Sequence, residues 1–380
     1  MKNKLLITSA LAAGSLMAGN IANAQTYYEK GNNYGQSTTT VGGDLAIIYS
    51  AIRKDASSHL NSSRGFGREA QLNVSNRGKL NNGLDYAAGF SLEFDGRGYS
   101  DSTTGTESPS ISNENVYVDL IAGNTTFTVG VDHVQRGYNG AAPQIFNITE
   151  LMRAAGSKVC YVIGAKTSES AGAGVIQKFP SIGISASAYY APRSGDTGNG
   201  DVEAVTGGNS NSSYEVGFNG VDTFGVKGLS TTFFFNKAAK TDNTKAGDIK
   251  GTSYGVAYNF GTIAVGFDKF KNENGIGTAA VANYFGEAAT SNIANTKHYG
   301  VTYAVDSNLT LGFVRSVTDT SGTSMTALTE AVNALQVGYN FGPVAVSATA
   351  SKFNNLYSAT TGPVDQDNGR MAQVRVTTKF

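Results

Sequence analysis

The chain ends Met371-Ala372-Gln373-Val374-Arg375-Val376-Thr377-Thr378-Lys379-Phe380. Val374, Val376, Thr378 and Phe380 fall on one face of an extended strand. Gln373, Arg375, Thr377 and Lys379 fall on the other. The alternation has period two and continues to the last residue. Termini of water-soluble domains usually fray. A strand that ends on a bare aromatic suits a setting where one face meets lipid, the other meets water, and an aromatic sits at the boundary.

The opposite end is built for export. Lys2 and Lys4 give a positive start, Leu5 to Met17 is a short apolar stretch, and Ala22-Asn23-Ala24 fits the small-x-small cleavage rule. This reads as a secretory signal peptide over residues 1–24, cut before Gln25, with residues 25–380 forming one domain. An uncleaved membrane anchor is the alternative, and the shortness of the apolar stretch weighs against it. The residue directly after the cut is Gln25 and not Cys, which argues against a lipoprotein.

Composition narrows the class. Only 15% of residues are charged, against about 25% in ordinary soluble domains. There are 47 Gly, 6 Pro, 19 Tyr and 19 Phe, and no Trp. No apolar run after the leader approaches the ~18 residues of a membrane helix. A closed barrel is the other structure that satisfies every backbone group in lipid. Formal charge is zero, and becomes −2 once Lys2 and Lys4 leave; a nucleic-acid partner, which wants a basic surface, is not expected. The single Cys160 has no internal disulfide partner and is expected to be buried.

Short alternating segments recur along the rest of the chain. We read strands at 40–53, 68–78, 84–95, 113–122, 125–133, 171–179, 182–192, 213–222, 228–238, 250–260, 262–271, 297–305, 308–317, 331–341, 343–353 and 370–380. The joints are alternately short and long. Two short joints nearly repeat: Val256-Ala257-Tyr258-Asn259-Phe260-Gly261-Thr262-Ile263-Ala264-Val265 and Val337-Gly338-Tyr339-Asn340-Phe341-Gly342-Pro343-Val344-Ala345-Val346. Phe179-Pro180-Ser181-Ile182-Gly183-Ile184 is a third version. Aromatics beside tight turns suit an interfacial girdle. On 84–95 the apolar set Leu84, Tyr86, Ala88, Phe90, Leu92 and Phe94 faces lipid, and on 250–260 Tyr254, Val256, Tyr258 and Phe260 do. The opposite faces are small and polar, which fits a water-filled lumen at about sixteen strands. The fold class is an all-β transmembrane antiparallel β-barrel, with short periplasmic turns and long extracellular loops.

The C-terminal Phe, the strand count and an unusually long third loop at about 134–170 carry a family resemblance. The chain is similar to the general diffusion porins of Gram-negative outer membranes, and looks closest to the sixteen-stranded alphaproteobacterial type. It lacks the Pro-Glu-Phe-Gly-Gly element that enteric porins carry in loop three. The resemblance implies a homotrimer among outer-membrane lipid and lipopolysaccharide. It implies recognition by the barrel-assembly machinery through Val374, Val376 and Phe380, and passage of small hydrophilic solutes. It also implies that loop three folds into the lumen, where acidic groups face a basic wall. On that pattern Asp132, Glu150 and Glu169 are candidate constriction acids. Arg77, Arg375 and Lys54 are candidate wall bases clustered at the barrel closure, with Glu93 and Asp119 also inward. Residues 147–155 read as a short helix with Asn147 as N-cap and Glu150 completing a capping box. The excess of inward acids predicts mild cation preference.

Other signals are set aside. Gly251-Thr252-Ser253-Tyr254-Gly255 matches G-x-S-x-G, but that motif needs a strand–turn–helix setting and here lies within an alternating strand. His59, His133 and His298 have no metal-ligand spacing, so neither an enzyme nor a metal site is expected. Asp and Asn in 193–212 and 239–249 offer oxygen ligands for Ca²⁺, without EF-hand spacing; no cofactor is expected. The rival functions are a substrate-selective channel for sugar, phosphate or amino acid, a non-conducting adhesin or structural barrel, and a soluble secreted binding protein.

Overall fold

Strands whose two faces see different media can satisfy all their backbone groups only by closing on themselves. In a computed structural model of the chain, sixteen strands do so. The structure describes residues 37–55, 63–95, 110–131, 140–154, 171–192, 212–239, 247–274, 292–322, 328–358 and 365–380. In chain order the strands are β1 (Ser37–Lys54), β2 (Ser63–Lys79), β3 (Asp85–Asp95), β4 (Ser110–Ala122), β5 (Thr125–Gly130), β6 (Gly172–Phe179), β7 (Ile184–Ala191) and β8 (Ser213–Val221). They continue as β9 (Leu229–Ala238), β10 (Ile249–Asn259), β11 (Ile263–Glu273), β12 (Asn292–Ala304), β13 (Leu309–Gly322), β14 (Leu328–Phe341), β15 (Val344–Ser358) and β16 (Asp365–Lys379). Each pairs antiparallel with its sequence neighbour, and β1 closes on β16 from Asp44 opposite Lys379 to Lys54 opposite Gly369. One helix, α1 (Ile148–Ala154), follows β5.

The expected strand count and the alternation of joints agree with this barrel; several boundaries do not. β12 begins at Asn292, β13 runs to Gly322 and β14 begins at Leu328, in stretches read above as loop. Hydrogen-bonded pairing continues there after the apolar alternation stops, because above the lipid the outward face no longer has to be apolar. β5 ends earlier than expected, at Gly130.

The facing assigned from parity is the facing observed. Tyr254, Val256 and Phe260 are exposed on the outer surface, while Ser253 and Ala257 are buried. At the short turns the aromatics gather. Tyr258 and Phe260 pair at 4.6 Å between ring centroids, and Tyr339 and Phe341 at 4.4 Å. The two near-repeats turn on Gly261 (φ +104°) and Gly342 (φ +67°), a region that favours glycine. The terminal aromatic completes the closure: Phe380 N–H donates to the Gly43 carbonyl at 3.1 Å and Gly43 N–H to the Phe380 carbonyl at 2.9 Å. The ring lies against Gly43, where a Cβ would collide with it. Residues 37 and 38 pair with β2, opposite Gly78 and Arg77, and not with β16.

One expectation about the interior needs correction. The inward faces of β13 to β16 and β1 are not uniformly small and polar. Val314, Val332, Phe353, Leu356, Met371 and Ile52 point inward and are buried together with Phe146, Ile148, Leu151 and Met152. The lumen therefore contains a local apolar core on one wall, and its other half is supplied by the segment that follows β5.

Candidate functional site

Residues 140–154 cross the inside of the barrel in two parts, an extended strap and then α1. Asp268, inward on β11, accepts the backbone N–H groups of Ala141 and Ala142, the second at 2.9 Å. Gln336, inward on β14, accepts from the N–H groups of Ile145 (2.8 Å) and Phe146 (3.1 Å) and donates to the Phe146 carbonyl (2.7 Å). Three inter-strand steps from β11 to β14 span about 14 Å, and the four residues from 142 to 146 reach about 13 Å when extended. The strap thus lies across the strands, bonded at both ends by buried side chains that act as surrogate backbone partners.

Glycine makes the crossing close. A Cβ at Gly300 would collide with the Pro143 carbonyl, and one at Gly266 would lie 2.7 Å from the Pro143 ring. A Cβ at Gly338 or Gly312 would press on Ile145 at 3.0 and 3.2 Å. These four inward glycines on β11 to β14 form a track that the strap follows.

Beyond the strap, the Asn147 carboxamide caps α1 by accepting the Thr149 N–H at 2.9 Å. Gln144 accepts the Ile148 N–H at 2.9 Å. Phe146, Ile148, Leu151 and Met152 then bury into the apolar wall, each worth roughly 1.5–3 kcal/mol relative to exposure. Glu150 is the acidic residue of the first turn. It faces Arg375 of β16, Oε2 to Nη1 at 3.7 Å. Arg375 also bonds Glu69 of β2 at 2.8 Å. Its guanidinium is therefore held between a helix carboxylate and a wall carboxylate, all three partly open to solvent.

The candidates named from sequence divide as follows. Glu150 and Arg375 are brought together. Glu69 joins them and was not named, although Leu72 and Val74 facing out already place Glu69 inward; the pairing of β1 with β2 that carries it toward Arg375 is what parity does not give. Lys54 and Arg77 are inward but do not cluster with Arg375. Lys54 lies opposite Gly369, six residues along β16, or roughly 20 Å. Arg77 lies opposite Thr38, ten residues along β1 from the partner of Arg375, or roughly 33 Å. Arg77 instead shares a row with Asp119 across Ala87. Glu93 lies opposite Gln71 on the β2–β3 wall. Asp132, Glu169, His133 and Cys160 fall outside the described residues, as do Ala22, Ala24 and Gln25. Ser253 of the G-x-S-x-G match is a buried inward strand residue. Among the described residues no group of three His, Cys, Asp or Glu could hold a metal ion.

A sixteen-stranded barrel with an apolar outer band, aromatic short-turn rim and a segment folded onto the inner wall defines an outer-membrane channel barrel. The family of Gram-negative porins matches residues 8–320, and the chain belongs to it. Solved structures share the fold at low identity. The anion-selective porin of Comamonas acidovorans superposes with a TM-score of 0.60 at 13% identity, over 91% of this chain and 100% of that one. OmpF of Salmonella typhi, in complex with daunomycin, gives 0.64 at 14%, over 90% and 98%. OmpT of Vibrio cholerae, in its trimer form, gives 0.57 at 14%, over 90% and 99%. No functionally curated protein matches. Family and fold are those of an outer-membrane diffusion channel rather than an enzyme.

Proposed function

We propose that the barrel is a passive pore for ions and small hydrophilic solutes, mildly cation-preferring and working as a homotrimer. The observation that supports this best is the Glu150–Arg375–Glu69 arrangement at the junction of α1 and the inner wall. The strap and α1 cover the inner wall from β11 to β16 and part of β1, so permeating solutes pass along the remaining wall, with Arg375 and Glu69 at its border. There Arg375, Glu69 and Glu150 face the path, with Arg77, Asp119, Glu93 and Lys54 at other heights along it; Asp132 and Glu169 remain candidate constriction acids in this reading. Opposed charges of this kind orient dipolar solutes, and the excess of carboxylates favours cations. The anion selectivity named for the Comamonas protein carries no weight at 13% identity.

In the same reading the leader 1–24 is removed before Gln25, Val374, Val376 and Phe380 present the assembly signal, and the barrel works among outer-membrane lipid and lipopolysaccharide with no cofactor. Liposome swelling tests the pore. Uptake should fall smoothly with sugar size and rise linearly with concentration. Saturation by one solute would instead favour the substrate-selective channel, and no uptake by a folded protein would favour the structural barrel.

A further inference from the structure

β1 and β16 are the neighbouring strands that no turn connects, so their seam is held by pairing and packing alone. On its outer face the opposed residues, read from the short-turn end toward the long loops, are Ile47 and Val376, Tyr49 and Val374, Ala51 and Ala372, then Arg53 and Arg370. The first two pairs join bulky apolar and aromatic side chains, which stabilise a sheet. Ala against Ala adds almost no cross-strand packing, and like charges directly opposite destabilise. Lys352 of β15 lies opposite Arg370 on its other side and extends the repulsion. The outer face of the seam therefore weakens step by step toward the long loops.

The inner face strengthens over the same steps. Its opposed residues are Ile48 and Arg375, Ser50 and Gln373, then Ile52 and Met371. Arg375 reaches past β1 to Glu69 of β2 at 2.8 Å, and Glu150 of α1 faces it. Gln373 Nε2 donates to Ser50 Oγ at 2.8 Å. At the height of Ala51 and Arg53, Ile52 and Met371 are buried in one cluster with Phe146, Ile148, Leu151 and Met152. The apolar side of α1 thus straddles both strands where their outer face holds least. It also rests on Val314, Val332 and Phe353, but β13, β14 and β15 follow one another in the chain and cannot separate freely.

We propose that α1 is the latch of this seam. Docked, it holds the long-loop halves of β1 and β16 together; undocked, it lets them part while the pairs nearer the short turns stay closed. The latch goes beyond the pore reading and holds whether or not the barrel conducts. The test is amide hydrogen exchange of the full-length protein refolded in detergent, which reads local opening. L151A empties a core position and should speed exchange at 50–53 and 370–373 at least about tenfold. Exchange at 213–216 and 235–238, the paired long-loop ends of β8 and β9, should not change, and at 314–317 and 331–334 it should rise less than at the seam. R53E sets a carboxylate opposite Arg370; it should slow seam exchange in the wild type and reverse most of the L151A effect. An S50C/Q373C disulfide in a C160S background should abolish that effect. A rise in L151A that is equal at the seam and at 314–317 and 331–334 would make α1 a general support of the wall and overturns the latch. So does a folded L151A barrel with no faster exchange at the seam. If L151A gives no folded barrel, R53E alone decides, and unchanged seam exchange in it overturns the proposal. Conductance of the same preparations bears on the pore and not on the latch.

Discussion

Arg375 is one residue on which two parts of the structure depend, because it ties α1 to the wall through Glu150 and the wall to itself through Glu69. A unit charge about 7 Å from an ion in water is worth about 0.6 kcal/mol, a factor of about 3 in an equilibrium. Arg375→Gln should therefore raise the cation-to-anion permeability ratio about two- to threefold, read as a shift of reversal potential in a salt gradient. Arg77→Gln, roughly 33 Å along the strands, should shift it less; equal shifts would mean that Arg375 holds no special place on the path. Gly300 sets a different constraint, since any side chain there meets Pro143. Gly300→Val should displace the strap and appear as altered single-channel conductance with the barrel still folded. The inward position of Arg375 was legible from parity alone. The meeting of Arg375 with Glu69 was not, since it depends on the register of β1 against both β2 and β16, and register comes from long-range pairing rather than from local pattern.

Among the elements, α1 is seven residues long and too short to persist alone in water. Its stability comes from the apolar wall. Leu151→Ala should cost about 2–5 kcal/mol of that packing, seen as a lower melting temperature and as flickering or enlarged conductance; an unchanged channel would show that α1 does not narrow the pore. The helix and its N-cap could be read from 147–155 because capping is local. Its landing site could not. Val314, Val332 and Phe353 sit inward on strands where the lumen was expected to be polar, and only the fold brings Leu151 and Met152 to them. The short turns carry their own check. Between β12 and β13 the Asp306 carboxylate accepts the N–H groups of Asn308 and Leu309 at 2.7 and 2.8 Å, which holds it below the usual carboxylate range. A depressed carboxylate stabilises the fold above its unfolded pKa and loses that contribution as pH falls through its folded value. The difference in unfolding rate between wild type and Asp306→Ala should thus be present at pH 7 and vanish in strong acid. A gap that persists at low pH would mean the turn does not use the ionised form.

At the scale of the whole molecule, the last strand decides the fold twice. Its alternation fixes a lipid face and a water face, and Phe380 closes the ring by exchanging both backbone bonds with Gly43. Deleting Phe380 should lower the yield of folded barrel and the melting temperature together; a full yield of equally stable protein would separate the assembly signal from this residue. The barrel was legible in sequence because lipid imposes one rule on every strand, so the outward sets of β3 and β10 report the same medium. Strand ends beyond the lipid, such as 292–296 of β12, escaped because that rule no longer applies there. The central claim is an open, water-filled pore, and recording from the refolded protein in a planar bilayer under a salt gradient tests it most directly. Stepwise ohmic conductance in groups of three, with a reversal potential of cation-preferring sign, is the predicted result. An inserted, folded barrel that passes no current, or one that reverses with the sign of an anion channel, would contradict the account.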